Sequence, residues 1–352
     1  MATFKRMNVL WISDSVYSFA QFNTSFPAAF AANYNVAMDH GNYGGTTVGS
    51  GLCDLADESY YWNGTTWVGA KRGTPFGNYQ ATAFVYGRND ANNAESLTAF
   101  RKAYDKLVSQ ARKYIPLVCA AGPPPKTNVG VNDWDAADPY QVNSYLSTLL
   151  TVAAKYNVPF VDHCANFKAL VTNNTYTVAQ LMRDTYHPSD ATGIPAMCPN
   201  IAAPIIAGTT TQNAAPEIAG KVVNYFFGQP NGGSWTLGAS GGSSPIPRTT
   251  GQTEQMLSSS TLNDNVKFPS STCSQVWAHF FMNTPGGQVT IYVDRGLAGQ
   301  QSITFDTSTR SDGAMNSVLV ADGLSAGPHL VEMVVATGAL VRLVGITYVG
   351  VV

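Results

Sequence analysis

From the N-terminus to about residue 207, short apolar runs alternate with longer stretches in which apolar residues return every three or four positions. NVLWIS (8–13), YNVAM (34–38), ATAFVYG (81–87), PLVCAAG (116–122) and VPFVD (158–162) have the length and bounding residues of buried strands. Between the third and fourth, AESLTAFRKAYDKLVSQARKY puts Leu97, Phe100, Tyr104, Leu107, Val108 and Ala111 on one helical face. YQVNSYLSTLLTVAAKY plays the same part before the fifth. Strands alternating with helices predict an α/β domain over residues 1–207, with a parallel sheet and right-handed crossovers.

The pattern then changes. GTTTQNAAPE and GQPNGGSWTLGASGGSSPIP are rich in Gly, Ser, Thr and Pro, and no long helical period follows them. QVTIYVD (288–294), HLVEMVV (329–335) and ALVRLVGITYV (339–349) instead alternate or run apolar between turns. Residues 208–352 are therefore expected to form a linker and an all-β sandwich.

Charge narrows the function classes. Twenty Lys and Arg against 22 Asp and Glu leave a formal charge of −2 over 352 residues, so no basic field would draw in nucleic acid. Charged residues make up 12%, about half the usual share. Asn, Thr, Ser, Gly and Tyr replace them, a composition associated with proteins that work outside cells on sugars. The five cysteines are widely spaced and form no CxxC pair, which argues for buried thiols and against a disulfide framework or zinc site. His163 and Cys164 beside Asp162 lack ligand spacing and are expected to be packing residues, so neither metal nor cofactor is implied. The apolar run in MATFKRMNVLWISDS is too short for a signal-peptide core. The most apolar tail is interrupted by Glu332 and Arg342, so no membrane insertion is expected.

In an open α/β sheet, chemistry sits beyond the carboxyl ends of the strands. The first strand candidate runs into SDS, ending at Ser15. The second is followed by DHGNYGGTT, the third ends in GRND, and DTYHPSD (184–190) follows the fifth. Together they supply a hydroxyl, glycine amides, a side-chain amide and an Asp/His pair, the components of acyl transfer. Asp184 and His187 are separated so that a tight turn can set the carboxylate on one ring nitrogen while the other faces a serine. Pro188 stiffens the chain behind the histidine.

These segments resemble the SGNH or GDSL-type hydrolases. WISDS is similar to the family's first block, GNYGGTT to the second, YGRND to the third and DTYHP to the fifth, in the family's order and spacing over residues 8–207. Ser13 stands where the family usually has glycine. The resemblance implies a three-layer, flavodoxin-like fold with Ser15 as nucleophile, His187 as base and Asp184 as its orienter. It also implies an oxyanion hole made by the amides of Ser15 and Gly44 and the side chain of Asn89.

The aromatic cluster SYYWNGTTW (59–67) and Trp134 could line a sugar groove, with Trp62 and Trp134 as the candidate stacking residues. The C-terminal part is similar to carbohydrate-binding jelly-roll modules, and assembly is its competing role. The whole resembles bacteriophage tail spikes that deacetylate host surface polysaccharide. That resemblance implies an acetylesterase acting on a glycan, a homotrimer, and a place in the virion or outside the cell. The alternatives are a secreted carbohydrate esterase or lipase-like hydrolase, and a non-catalytic glycan-binding adhesin on the same fold.

Overall fold

The computed structural model describes residues 5–14, 20–30, 34–42, 47–69, 79–92, 95–125, 127–128, 131–132, 144–208, 214–231, 233–239, 255–282, 285–309 and 315–352. The chain divides into two compact units. The first comprises Met1–Asn42 and Phe76–Pro216, the second Tyr43–Pro75 and Glu217–Val352.

In the first unit the strands Lys5–Ser13, Tyr34–Asn42, Ala81–Val85, Leu117–Ala121 and Phe160–Val161 form one sheet in the spatial order second, first, third, fourth, fifth. Every neighbouring pair is parallel. Burial on both faces explains the unbroken apolar runs: Val9, Trp11, Ile12, Phe84 and Val85 are all fully buried. The order reverses between the first and third strands, and a crevice opens at their carboxyl ends at such a switch point.

Helices complete this unit. Leu97–Tyr114 starts at Ser96, whose side chain accepts from the Ala99 amide, and ends with Arg112 and Lys113 against the helix's negative pole. Phe100, Tyr104, Leu107, Val108 and Ala111 are buried as their spacing predicts, but Leu97, at the first helical position, is 37% exposed. In the helix Ala20–Phe30, the residues Phe22, Phe26 and Phe30 are fully buried. Trp11 packs on the first two at ring distances of 4.5 and 5.1 Å. Ile194, Met197, Ile201 and Ile205 of the helix Gly193–Ala207 join the same cluster.

The second unit is a β-sandwich. One sheet runs in the order Thr236–Ala239, Gln255–Ser259, Val341–Val351, Lys221–Phe226, Glu58–Trp62, Trp67–Gly69. Gln275–Phe281 also pairs with Val341–Val351 and with Met315–Asp322. The other sheet is Gln229–Pro230, Asn265–Lys267, Val331–Val335, Gln288–Val293, Gln301–Asp306. Alternate residues of the facing strands, among them Val289, Ile291, Val293, Val331, Met333 and Val335, meet Val276, Ala278, Phe280 and Ile346 in one apolar core.

The boundary expected at 207/208 misses an excursion. Residues 43–75 group with the β unit, because Glu58–Trp62 pairs parallel to Lys221–Phe226. Buried hydrogen bonds hold the excursion there: Asn224 Nδ2 donates to the Cys53 carbonyl at 2.8 Å, and Ser50 and Ser317 hydroxyls meet at 2.6 Å. The aromatic run at 59–67 shows a strand's apolar character but not its partner, which lies more than 150 residues away in sequence. Among the described residues no helix is long and apolar enough to cross a membrane.

Candidate active site

The switch point is built from two strand ends. At the first, Ser13 is fully buried; its hydroxyl accepts from Trp11 Nε1 at 2.9 Å and donates to the Asp14 carbonyl at 3.1 Å. Ser13 thus ties the end of the strand to its own tryptophan. Asp14 is also fully buried. Ser15 lies outside the described residues, as do Gly44 and Trp134.

At the third strand, the chain leaves Val85 through Tyr86 and turns at Gly87, whose φ of +123° is one that L side chains rarely adopt. The short helix Arg88–Asn92 follows. The carboxylate of Asp90 accepts from the Gly87 amide at 3.2 Å, and Arg88 Nη2 donates to the Pro124 carbonyl at 2.9 Å. This frame leaves Asn89 only 6% exposed, with its Nδ2 donating to Asp14 Oδ2 at 3.3 Å. Asn89 is thereby brought to the residue that precedes Ser15.

The Asp/His pair lies on a braced loop after the short helix Val178–Leu181, which has a capping box between Thr177 and Gln180. Met182 and Pro188 bridge across the loop, Arg183 N donates to the His187 carbonyl at 2.9 Å, and Ser189 N donates to the Leu181 carbonyl at 2.8 Å. Inside it, Asp184 Oδ1 accepts from the amides of Tyr186 and His187 at 2.8 and 2.9 Å, and His187 Nδ1 is 2.9 Å from both carboxylate oxygens. An ionised carboxylate can only accept, so Nδ1 carries the proton in the neutral ring and Nε2 is the ring's accepting nitrogen. Burial pushes the Asp184 carboxyl up. The hydrogen bonds from the Tyr186 amide and from the His187 ring and amide outweigh it, holding the group below the usual carboxylate range. The His187 side chain is 23% exposed, accessible enough to act on a substrate.

Two residues that sequence reasoning passed over hold this loop. The Ser189 hydroxyl accepts from the Gly193 amide at 3.0 Å and donates to the Gln180 carbonyl. A Cβ on Gly193 would lie 2.0 Å from the Leu181 carbonyl oxygen and 2.9 Å from Pro188 Cβ, so only glycine fits. The signal was the run HPSDATG, where a serine and a glycine follow the histidine at short spacing. Asp14, in SDS, was equally visible but had no role until its contact with Asn89 was seen.

Asp162, His163 and Cys164 have structural places. Asp162 Oδ1 accepts from the Ala165 amide at 2.9 Å, capping the helix His163–Thr172, and His163 and Cys164 are buried. Trp62 belongs to the β unit, where it is half-buried with its ring 5.6 Å from Trp67. Trp67 packs in turn on Tyr225 at 5.1 Å.

No family model and no curated protein matches the sequence. Solved structures do. A two-domain esterase active on acetylated mannans superposes with a TM-score of 0.66 at 13% identity, covering 98% of this chain and 92% of its own. The same type of two-domain esterase, co-crystallised with mannopentaose, gives 0.67 at 14% identity over 98% and 91%. The chain therefore has the fold of these two-domain esterases, an α/β unit with a parallel sheet joined to a β-rich unit.

Proposed function

We propose that the chain is a serine esterase that removes acetyl groups from a polysaccharide. The observation that carries this reading is the Asp184–His187 pair, a carboxylate on Nδ1 with Nε2 left as a base. In the proposed reaction His187 Nε2 takes the Ser15 proton as Ser15 Oγ attacks the ester carbonyl. The tetrahedral oxyanion is received by the amides of Ser15 and Gly44 and by Asn89 Nδ2. His187 then protonates the departing sugar oxygen, leaving an acetyl-serine. Water, deprotonated by His187, attacks that ester, and its collapse releases acetate and restores the Ser15 hydroxyl.

Two findings support a small acyl group on a glycan. The mannan-active esterases share the two-domain fold, and Phe22, an apolar residue near Ser15 in sequence, is buried in the core and unavailable to line a long acyl trough. The finer reading is a bacteriophage tail-spike deacetylase, trimeric and acting outside the cell, with Trp62 and Trp134 contacting sugar and the β unit binding glycan or assembling the trimer. The sparsely charged composition supports it.

Hydrolysis of a chromogenic acetate ester tests the chemistry. The wild-type protein should turn it over, and folded Ser15→Ala should lose essentially all activity. Retained activity in Ser15→Ala would overturn the mechanism, and no activity in the wild type would favour a glycan-binding adhesin. Light scattering on the intact chain tests the trimer.

A further inference from the structure

We infer that the turn 323–327, which follows the strand Met315–Asp322 of the β unit, is a proton-operated latch, closed while the Asp294/His329 pair holds a proton and released when that proton leaves. The ring's two contacts require the proton. His329 is 5% exposed, with Nδ1 2.6 Å from Asp294 Oδ2 and Nε2 2.9 Å from the Ser325 carbonyl oxygen. A carbonyl oxygen can only accept, so Nε2 bears a hydrogen. The 2.6 Å contact contains another, either on Nδ1 or on the carboxyl donating to Nδ1. Whichever atom holds it, the pair has one proton more than a carboxylate and a neutral imidazole have between them. Taking it away aims a ring lone pair at an oxygen lone pair, so one of the two contacts must open.

The contact that opens is the one to Ser325. The Asp294 side is tied down: Asp294 N donates to the Leu330 carbonyl and Leu330 N donates to Asp294 Oδ1, each at 2.9 Å. An N–H on a carboxylate is the stronger of the ring's two bonds, so the remaining hydrogen stays on Nδ1 and Nε2 turns its lone pair to the Ser325 carbonyl. The turn is free to swing once let go. Leu324 N on the Ser274 carbonyl at 3.1 Å holds it before, and the pairing of Pro328–His329 with Ser271–Thr272 holds it after. Between these, Ser325 and Ala326 are exposed. Gly323 and Gly327, at the two ends, have φ of +67° and +146° and open space where a Cβ would stand.

The surrounding groups leave the latch to this pair. Burial pushes the Cys273 thiol up to about 12, with the Asp294 charge adding to it, and burial followed by Cys273, Tyr225 and Asp294 raises Tyr348, so both stay neutral near pH 7. Arg295 lies 3.1 Å from Glu332 Oε1 and 4.5 Å over the Tyr292 ring, and Asp322, which leads into the turn, accepts from Gln275 Nε2 at 2.9 Å. On His329 burial acts downward, but the hydrogen bonds to Asp294 and Ser325 and the Asp294 charge outweigh it and raise the ring above its ordinary 6.5. The latch is therefore fully closed below about 6.5 and loses its hold as pH rises through the higher folded value.

Imidazole nitrogen NMR and amide hydrogen exchange on the full-length protein test this. At pH 6 both ring nitrogens of His329 should show proton-bound shifts, and the ring should titrate above about 6.5. Exchange of the Leu324 amide, corrected for its intrinsic rate, should quicken from pH 6 to 9 by at most about tenfold per pH unit, the limit for one proton. The strand Gln288–Val293 should keep its protection. In His329→Gln the pH dependence at Leu324 should vanish. The inference is overturned by a ring that titrates at or below about 6.5, by Leu324 protection unchanged from pH 6 to 9, or by the same pH dependence in His329→Gln. Should His329→Gln not fold, Asp294→Asn decides: the ring should titrate lower than in the wild type and the opening of the turn should move down in pH with it, whereas an opening that stays in place overturns the latch.

Discussion

His187 in the first unit and His279 in the second each hold side-chain oxygens at hydrogen-bond distance, but their surroundings are opposite. His187 sits on a loop, partly exposed, with a carboxylate on Nδ1. His279 is fully buried between two hydroxyls, Ser317 Oγ on Nδ1 and Thr347 Oγ1 on Nε2, each at 2.7 Å. The chain of contacts continues from Ser317 to Ser50 and from Thr347 to Asn224. A serine hydroxyl 2.7 Å from an imidazole resembles a catalytic dyad, yet here both ring nitrogens are occupied and, among the described residues, no charge partner stabilises the imidazolium. Burial drives the His279 ring down to about 3, so it stays neutral. The lesson is that a Ser–His contact works as catalytic machinery only with a carboxylate behind the ring and access in front of it. Without these it is a satisfied polar link that ties the 43–75 excursion to the sandwich.

Replacing each histidine by glutamine should split the two roles, and this is the largest expected effect. His187→Gln should cost on the order of 10^6 in kcat, as when a triad base is removed, with a melting temperature close to wild type. His279→Gln should melt earlier and turn over a small acetate ester at the wild-type rate per folded molecule. A reversed outcome, with activity lost in folded His279→Gln and kept in His187→Gln, would exchange the roles assigned to the two units.

A smaller effect is expected from the brace behind His187. In Gly193→Ala the new methyl meets the Leu181 carbonyl oxygen at 2.0 Å, so the 182–189 loop must shift. Overpacking of this kind costs about 1–3 kcal/mol. The displaced Asp184–His187 pair should lower kcat while KM stays near wild type. Crystallography and kinetics of the variant would check both, and an unmoved loop with full activity would show that the brace is dispensable.

The smallest effect concerns acid and compares buried histidines of unlike setting. The folded chain leaves His279 neutral down to about pH 3, while the unfolded chain protonates it below about 6.5. Between those values the unfolded state binds more protons, so stability falls as pH falls. His163, also pushed down to about 3 by burial, adds a contribution of the same sign in the first unit. His329 runs the other way. Burial lowers it, but hydrogen bonds to Asp294 at 2.6 Å and to the Ser325 carbonyl at 2.9 Å outweigh that and raise it. Its stabilisation is full below about 6.5 and is lost as pH rises through its higher folded value. Denaturant unfolding between pH 4 and 8 should therefore show a shallower acid slope in His279→Gln and a weaker alkaline loss in His329→Gln; unchanged slopes would contradict the assigned protonation states.

The features readable from sequence are those whose physics is local. The five parallel strands were visible because burial on both faces demands unbroken apolar runs, and the helix Leu97–Tyr114 because its buried residues repeat with the helical period. The Asp184–His187 contact was visible for the same reason: a separation of three residues in a turn leaves few ways for the groups to miss each other. Leu97 shows the limit, since periodicity assigns a face but not where the covering neighbour ends. The contact of Asp14 with Asn89, the parallel pairing of Glu58–Trp62 with Lys221–Phe226, and the hydroxyls around His279 join residues far apart in sequence. Such contacts depend on how the elements close over one another, and an alternating or helical pattern records which face is buried without recording what buries it. Tertiary structure alone therefore decided that the excursion at 43–75 belongs to the sandwich, that Ser13 and Trp11 lock the strand end, and that Asn89 reaches the residue before Ser15.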